Sequence, residues 1–140
     1  IVVAILQPVV FSKVDYGLLV TFACFFIFVG NLKNIPQVSN TIMKLLNGYE
    51  FECSLVLSQI ISNVPTAVML SGFTDNFKAL ILGSDIGGLG TLIASLASLI
   101  TYKSYTNSEN PDTRKFVRVF TLMNVIFLAV LFAYAKLFLL

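Results

Sequence analysis

The residues with the most chemistry to offer stand in two short polar stretches inside apolar sequence. The first is Ser62-Asn63-Val64-Pro65, within CSLVLSQIISNVPTAVMLSGFT (Cys53–Thr74). The second is Gly83-Ser84-Asp85-Ile86-Gly87-Gly88-Leu89-Gly90, between ALIL and TLIASLASLI. Asp85 is the most informative single residue, with six uncharged residues before it and seventeen after. A carboxylate in such surroundings calls for a cation, a proton or bound water. That chemistry fits a Na+ ligand or a protonation switch; a helix cap or a carboxylate near the aqueous surface would use the same residue. The Asn63 amide both donates and accepts, and the Ser62 hydroxyl does the same. The pair could bind a substrate carboxylate or orient cation-binding carbonyls, with Asn63 and Asp85 as the metal ligands, or it could simply close a turn. Thr66 and Thr91 each follow an interruption. A free amide and a hydroxyl at a helix start suit an anion.

The elements that must position these residues are membrane helices. Of the 140 residues 57% are hydrophobic and 11% are charged, against roughly 25% charged in a soluble domain. The charges are clustered, leaving neutral stretches at 1–12, 16–32, 53–74, 86–102 and 119–135. A spanning helix needs about 20 mostly apolar residues. Histidine is absent, which removes the usual zinc sites and His-based catalysis. Cys24 and Cys53 lack metal-ligand spacing and read as small buried hydrophobes. No nucleophile–base pair points to an enzyme. No basic stripe with interleaved aromatics points to nucleic acid.

Residues 1–11 read as the end of a helix already under way, which predicts a longer protein upstream. Residues 16–32 form a complete span, stopping at Gly30-Asn31. The connector 33–51 is broken by Pro36 and capped at Ser39 or Asn40. It holds a short interfacial helix over 41–47, with Ile42, Leu45 and Leu46 on one side. Glu50 and Glu52 mark a solvated boundary. Residues 53–74 divide into arms 53–61 and 66–73, because Pro65 removes a donor and pushes Val64 toward an extended conformation. Arms of that length reach the middle of a bilayer, not across it. A single kinked span is the alternative. Residues 75–102 are a helix broken at the glycines and resuming at 91, with Gly90, Ala94 and Ala97/Ser98 as a small-residue ridge. Residues 103–118 are a loop with four positive and two negative charges, hence cytoplasmic. The final span is 119–139. Parity then has the hairpin open from the outside and return there.

At these motifs the chain resembles a known family. SQIISNVPTAVMLSG (58–72) and LGSDIGGLGTLIASLASLI (82–100) look like the C-terminal half of the anion permeases grouped with citrate, dicarboxylate and arsenite carriers. The resemblance implies one half of an inverted-repeat, alternating-access carrier. It implies a hairpin tip at Ser62 and Asn63, with Val64 and Pro65 as in SNVP-type members. It also implies a broken-helix region at Ser84, Asp85, Gly87, Gly88 and Thr91. Two positions depart from it. Val64 stands where dicarboxylate members often carry threonine, and Leu89 where many arsenite-type members carry asparagine, so substrate class stays open.

The resulting expectation is an all-α polytopic membrane protein of the bacterial inner membrane. It has transmembrane helices, a re-entrant hairpin and a discontinuous helix. It performs secondary transport of a small anion, a di- or tricarboxylate or an inorganic oxyanion, coupled to Na+ or H+. Na+ as coupling ion is the only cofactor expected. Lipid, the missing N-terminal half and a second copy in a homodimer are the expected partners. An arsenite-type permease, a channel or Na+/H+ exchanger, and a structural subunit that transports nothing are the alternatives.

Overall fold

The computed structural model describes residues 16–140. The helix remnant expected over 1–11 lies outside them. Every regular element among the described residues is helical: α1 (Tyr16–Lys33), α2 (Pro36–Leu46), α3 (Glu50–Ile61), α4 (Asn63–Leu70), α5 (Phe77–Gly87), α6 (Leu96–Thr106) and α7 (Thr113–Tyr134). A π-helical turn, Ala135–Leu139, prolongs α7.

Helix α1 is apolar on all sides and runs through Gly30-Asn31 to Lys33. The Asn31 amide donates to the Ile27 carbonyl at 2.8 Å, so the polar side chain is absorbed within the helix rather than ending it. The Thr21 hydroxyl likewise donates to the Gly17 carbonyl. The chain then turns by 95° into α2. Pro36 opens α2 at its first turn instead of breaking the connector. A missing N–H is harmless there, and the ring pre-sets φ. Helix α2 is amphipathic: Leu46 is buried, Val38, Ser39 and Ile42 are half-buried, and Leu45 points outward, off the side shared by Ile42 and Leu46.

Helices α3 and α4 form a hairpin with a single non-helical residue, Ser62, at its tip. Its two ends meet again at the base, where the Thr74 hydroxyl donates to the Glu50 carboxylate. Met69 and Leu70 of the returning arm pack with Cys53 and Leu57 of the outgoing one. The tip is shorter than the four residues expected, because α4 begins at Asn63 and Pro65 falls in its first turn. First-turn amides have no intrahelical partner, so Pro65 is tolerated and Val64 is helical rather than extended.

Helix α5 runs beside α3 in the same direction, with Gly83 against Phe51 and Ser54 and Gly87 against Leu55 and Ser58. Ser54 and Ser58 are fully buried. Their hydroxyls are spent on backbone carbonyls of their own helix, Phe51 and Ser54. Small residues on both faces bring the two backbones together. The glycines at 83 and 87 are therefore packing residues inside a continuous helix, and the interruption begins only at Gly88. It lasts until α6 starts at Leu96, not at 91 as expected, with the Ser95 hydroxyl as its cap. Gly90 lies in the interruption at φ +103°, off the expected ridge; Ala94 and Ser98 are buried and Ala97 is exposed.

The expected loop 103–118 is mostly helix. Only 107–112 is irregular, and Asp112 caps α7 by accepting from the Lys115 amide. Tyr105 stacks on Phe116, and its hydroxyl accepts from the Asp112 amide, which closes the connector. The opposite end of α7 lies at the hairpin base. There Lys136 pairs with Glu52, Ala135 is buried in the Phe51–Leu55 cluster, and Leu139 accepts from Lys78. Among the described residues, Thr113–Leu139 is the one helix long and apolar enough to cross a membrane alone; α1 and α2 pass the same test together as a bent pair. The several complete spans expected from the apolar runs reduce to these.

Candidate functional site

The hairpin tip docks on the interruption between α5 and α6. Gln59, in the last turn of α3, does most of this. Its amide nitrogen donates to the Gly87 carbonyl at 2.6 Å and to the Leu89 carbonyl at 2.8 Å. Its amide oxygen accepts from the Thr91 amide at 3.1 Å, and its own carbonyl accepts from the Thr91 hydroxyl at 3.4 Å. At the tip, the Asn63 backbone N–H donates to the Ala94 carbonyl at 2.9 Å, and the Ser62 hydroxyl reaches the same oxygen at 3.4 Å. Each interruption satisfies backbone groups that the other leaves open. Irregular backbone held inside apolar surroundings requires that.

The junction lies near the middle of the longest helix. A Cβ added to Gly90 would sit 3.3 Å from Leu128 Cδ1, and Leu128 is close to the midpoint of Thr113–Leu139. Four helix ends converge here. Helices α3 and α5 finish at the junction, and α4 and α6 begin there.

The residues singled out from sequence divide into three groups. Ser62, Asn63, Gly87, Gly88 and Thr91 are at the junction itself. Ser62 holds φ +75°, in a region that favours glycine. The Asn63 side chain rests on Gly88, where an added Cβ would lie 2.9 Å from Nδ2, and its Oδ1 accepts from the Val64 amide. Thr91 is exposed and does not start a helix, which corrects its expected place at a helix N-terminus. The second group flanks the junction with its polar atoms committed or buried. Ser84 donates to the Ile81 carbonyl. The Thr66 amide is not free, since it donates to the Ser62 carbonyl at 3.1 Å. The Thr66 hydroxyl is fully buried and has no hydrogen-bond partner among the described residues. The third group points outward. Val64 is 48% exposed. Asp85 lies on α5 one turn before the interruption at Gly88, on an exposed face with Lys78 and Ile81. Among the described residues there is no group of three or more His, Cys, Asp or Glu side chains that could hold a metal.

Sequence reading missed two residues. Gln59 carried one signal, a lone amide side chain in an apolar run. Glu50, which its sequence neighbourhood puts at a solvated boundary, is only 8% exposed and accepts from Thr74 and from the Gly48 amide.

Comparison with known proteins agrees with a membrane setting. The chain is 40% identical over 126 residues to the uncharacterized transporter MJ0456 of Methanocaldococcus jannaschii, covering 90% of this chain and 35% of that protein. It is 32% identical over 103 residues to the inner membrane protein YbiR of Escherichia coli, covering 71% of this chain and 28% of that protein. The chain thus spans about a third of the length of these curated relatives. No protein-family model matches it, and no solved structure matches it significantly.

Proposed function

We propose that the protein containing this segment is a secondary active transporter of the bacterial inner membrane. It moves a small anion, a di- or tricarboxylate or an inorganic oxyanion, coupled to Na+ or H+. One observation carries the reading: a half-length hairpin tip meets an interrupted helix beside the midpoint of a spanning helix. Discontinuous helices meeting near the bilayer midplane are how carriers build substrate and ion sites. The names of the two relatives, a transporter and an inner membrane protein, support transport over catalysis and support the location.

The ends that converge have complementary electrostatics. The N-termini of α4 and α6 carry partial positive charge toward the junction and favour an anion. The C-termini of α3 and α5, with their carbonyls, favour a cation. Ser62, Asn63 and Thr91 supply the polar contacts, Gly87 and Gly88 allow close backbone approach, and Asp85 supplies the charge that couples a cation or proton. The rest of the protein completes the site around the exposed Asp85 and Thr91. The second half of an inverted repeat is the partner that this arrangement calls for.

The test is uptake by the full-length protein in proteoliposomes. Citrate, succinate and arsenite are offered, with Na+ and pH varied independently at fixed membrane potential. Saturable uptake of one of them, raised by a Na+ or proton gradient, is the expected result. Na+/H+ exchange without anion flux would replace the proposal with an exchanger. No flux of any of these would leave a structural subunit.

A further inference from the structure

We infer that Gln59 is a positioning residue that locks the hairpin tip to the α5–α6 interruption, so that the two move as one unit. The inference rests on the reading of this junction as the transport site. The geometry is specific to this side chain. One planar amide spends both its donor and its acceptor capacity on three alternate residues of the facing segment: the Gly87 and Leu89 carbonyls and the Thr91 amide. Gly87 is the last residue of α5, and Leu89 and Thr91 belong to the irregular segment. Gln59 is therefore where the end of a helix is joined to the segment that leaves it. Shape reinforces the chemistry. A Cβ at Gly90 would come 2.6 Å from Gln59 Oε1, so the glycine at φ +103° lets the loop wrap the amide closely.

The clamp makes the junction rigid along one edge and leaves the other open. Val64, Asp85 and Thr91 are exposed, while Gln59 is half-buried. In an alternating-access cycle, the tip and the interruption would keep their mutual geometry, and the movement would fall between this unit and the rest of the protein. Asparagine is one methylene too short to reach all three partners. Leucine fills the volume and makes none of the bonds. Glutamate keeps the acceptor for Thr91 but faces two carbonyls with a second acceptor until it is protonated.

The test is hydrogen exchange on the full-length protein in lipid nanodiscs, comparing wild type with Gln59→Leu and Gln59→Glu and correcting for intrinsic rates. The expected result for Gln59→Leu is exchange at least about tenfold faster across 87–94, as loss of the two part-buried hydrogen bonds to Gly87 and Leu89 and the one from the Thr91 amide implies. The hairpin base at 50–54 and 70–74 should be unchanged. In Gln59→Glu the same segment should regain protection as pH falls, because the protonated carboxyl donates again. A space-filling role would give no such pH dependence. Unchanged exchange at 87–94, or loosening spread evenly to the base, would overturn the clamp. Uptake of citrate, succinate and arsenite by the same variants adds a separate readout. Whichever anion the wild type carries should show a raised KM with a smaller change in maximal rate. If the wild type carries none, the transport reading fails while the exchange data still decide the clamp.

Discussion

The Thr74 hydroxyl donates to the Glu50 carboxylate at 3.3 Å across 24 positions of sequence, and this contact closes the hairpin at its base. The carboxylate is nine-tenths buried and also receives the Gly48 amide. Removing a donor from a buried acceptor costs more than the bond itself contributes, about 1–3 kcal/mol. Thr74→Val, which keeps the shape, should lower the melting temperature of the purified protein. Glu50→Gln should be milder, because its amide oxygen still accepts. Thermal unfolding in one detergent checks both. Equal melting of Thr74→Val and wild type would show that water, not Thr74, satisfies Glu50.

Close approach of α3 and α5 gives the second prediction. Gly87 faces the Leu55 backbone, where a Cβ would lie 2.9 Å from both the α-carbon and the carbonyl oxygen. Backbone cannot step aside as a flexible side chain can. Gly87→Ala should destabilise by about 1–3 kcal/mol, the usual cost of overpacking. Gly30→Ala is the contrast. Among the described residues nothing lies within 4 Å of its added methyl, and a helical glycine replaced by alanine gains about 0.5–1 kcal/mol. The two variants should move the melting temperature in opposite directions.

This contrast explains how much the sequence disclosed. The two polar interruptions were legible because Pro65, Asn63 and Asp85 are conspicuous in apolar runs. The role of each glycine was not. Gly83 and Gly87 look like breakers beside Gly88 and Gly90, yet they are helical, and what selects them is a serine face far away in sequence. Pro65 misled for a local reason: its position within the first turn of α4 decides whether it breaks a helix, and that depends on where Ser62 turns. Gln59 shows in the sequence only as a lone amide in an apolar run; its role is hidden because its partners are backbone atoms, which carry no residue identity. Glu50 looked solvated because its burial depends on Thr74 arriving from the far end of the hairpin.

Sidedness is the third prediction. The connector 107–112 adjoins the start of α7, and the hairpin base adjoins its end, through Lys136 with Glu52 and Leu139 with Lys78. A helix of 27 residues is about 40 Å long, enough to cross a hydrocarbon core of about 30 Å. That length predicts the two regions on opposite sides of the membrane. In a variant with Cys24 and Cys53 replaced by alanine, Ser108→Cys should react with an impermeant maleimide from the cytoplasmic side. Asp75→Cys should react from the other side. Labelling of both from one side would remove the hairpin's re-entrant geometry.

Asp85 gives the fourth. Its carboxylate is exposed on α5, one turn from the junction, so Asp85→Asn should change stability by no more than about 0.5 kcal/mol, as for other surface substitutions, and leave the melting temperature close to that of wild type. If Asp85 couples ion to anion, the same change should remove the dependence of uptake on the Na+ or proton gradient. Gradient-driven uptake that survives the substitution would assign coupling elsewhere.

The fifth prediction separates strain from function at the tip. Ser62 holds φ +75° and ψ 152°, a conformation that only glycine adopts without strain, at a cost of about 1–3 kcal/mol for other residues. The surrounding contacts impose it. The Ser62 amide is tied to the Ser58 carbonyl at 3.1 Å, the Thr66 amide to the Ser62 carbonyl, and the Asn63 amide to Ala94. Ser62→Gly removes the strain and loses only a hydroxyl contact at 3.4 Å. The protein should therefore melt at a higher temperature. If the Ser62 hydroxyl takes part in the site, uptake should weaken even as stability rises. Ser62→Ala keeps the strain, loses the hydroxyl, and should lose uptake without the gain in melting temperature. If Ser62→Gly transports as well as wild type, the hydroxyl has no part in the site, and the tip acts through Asn63 and its backbone alone.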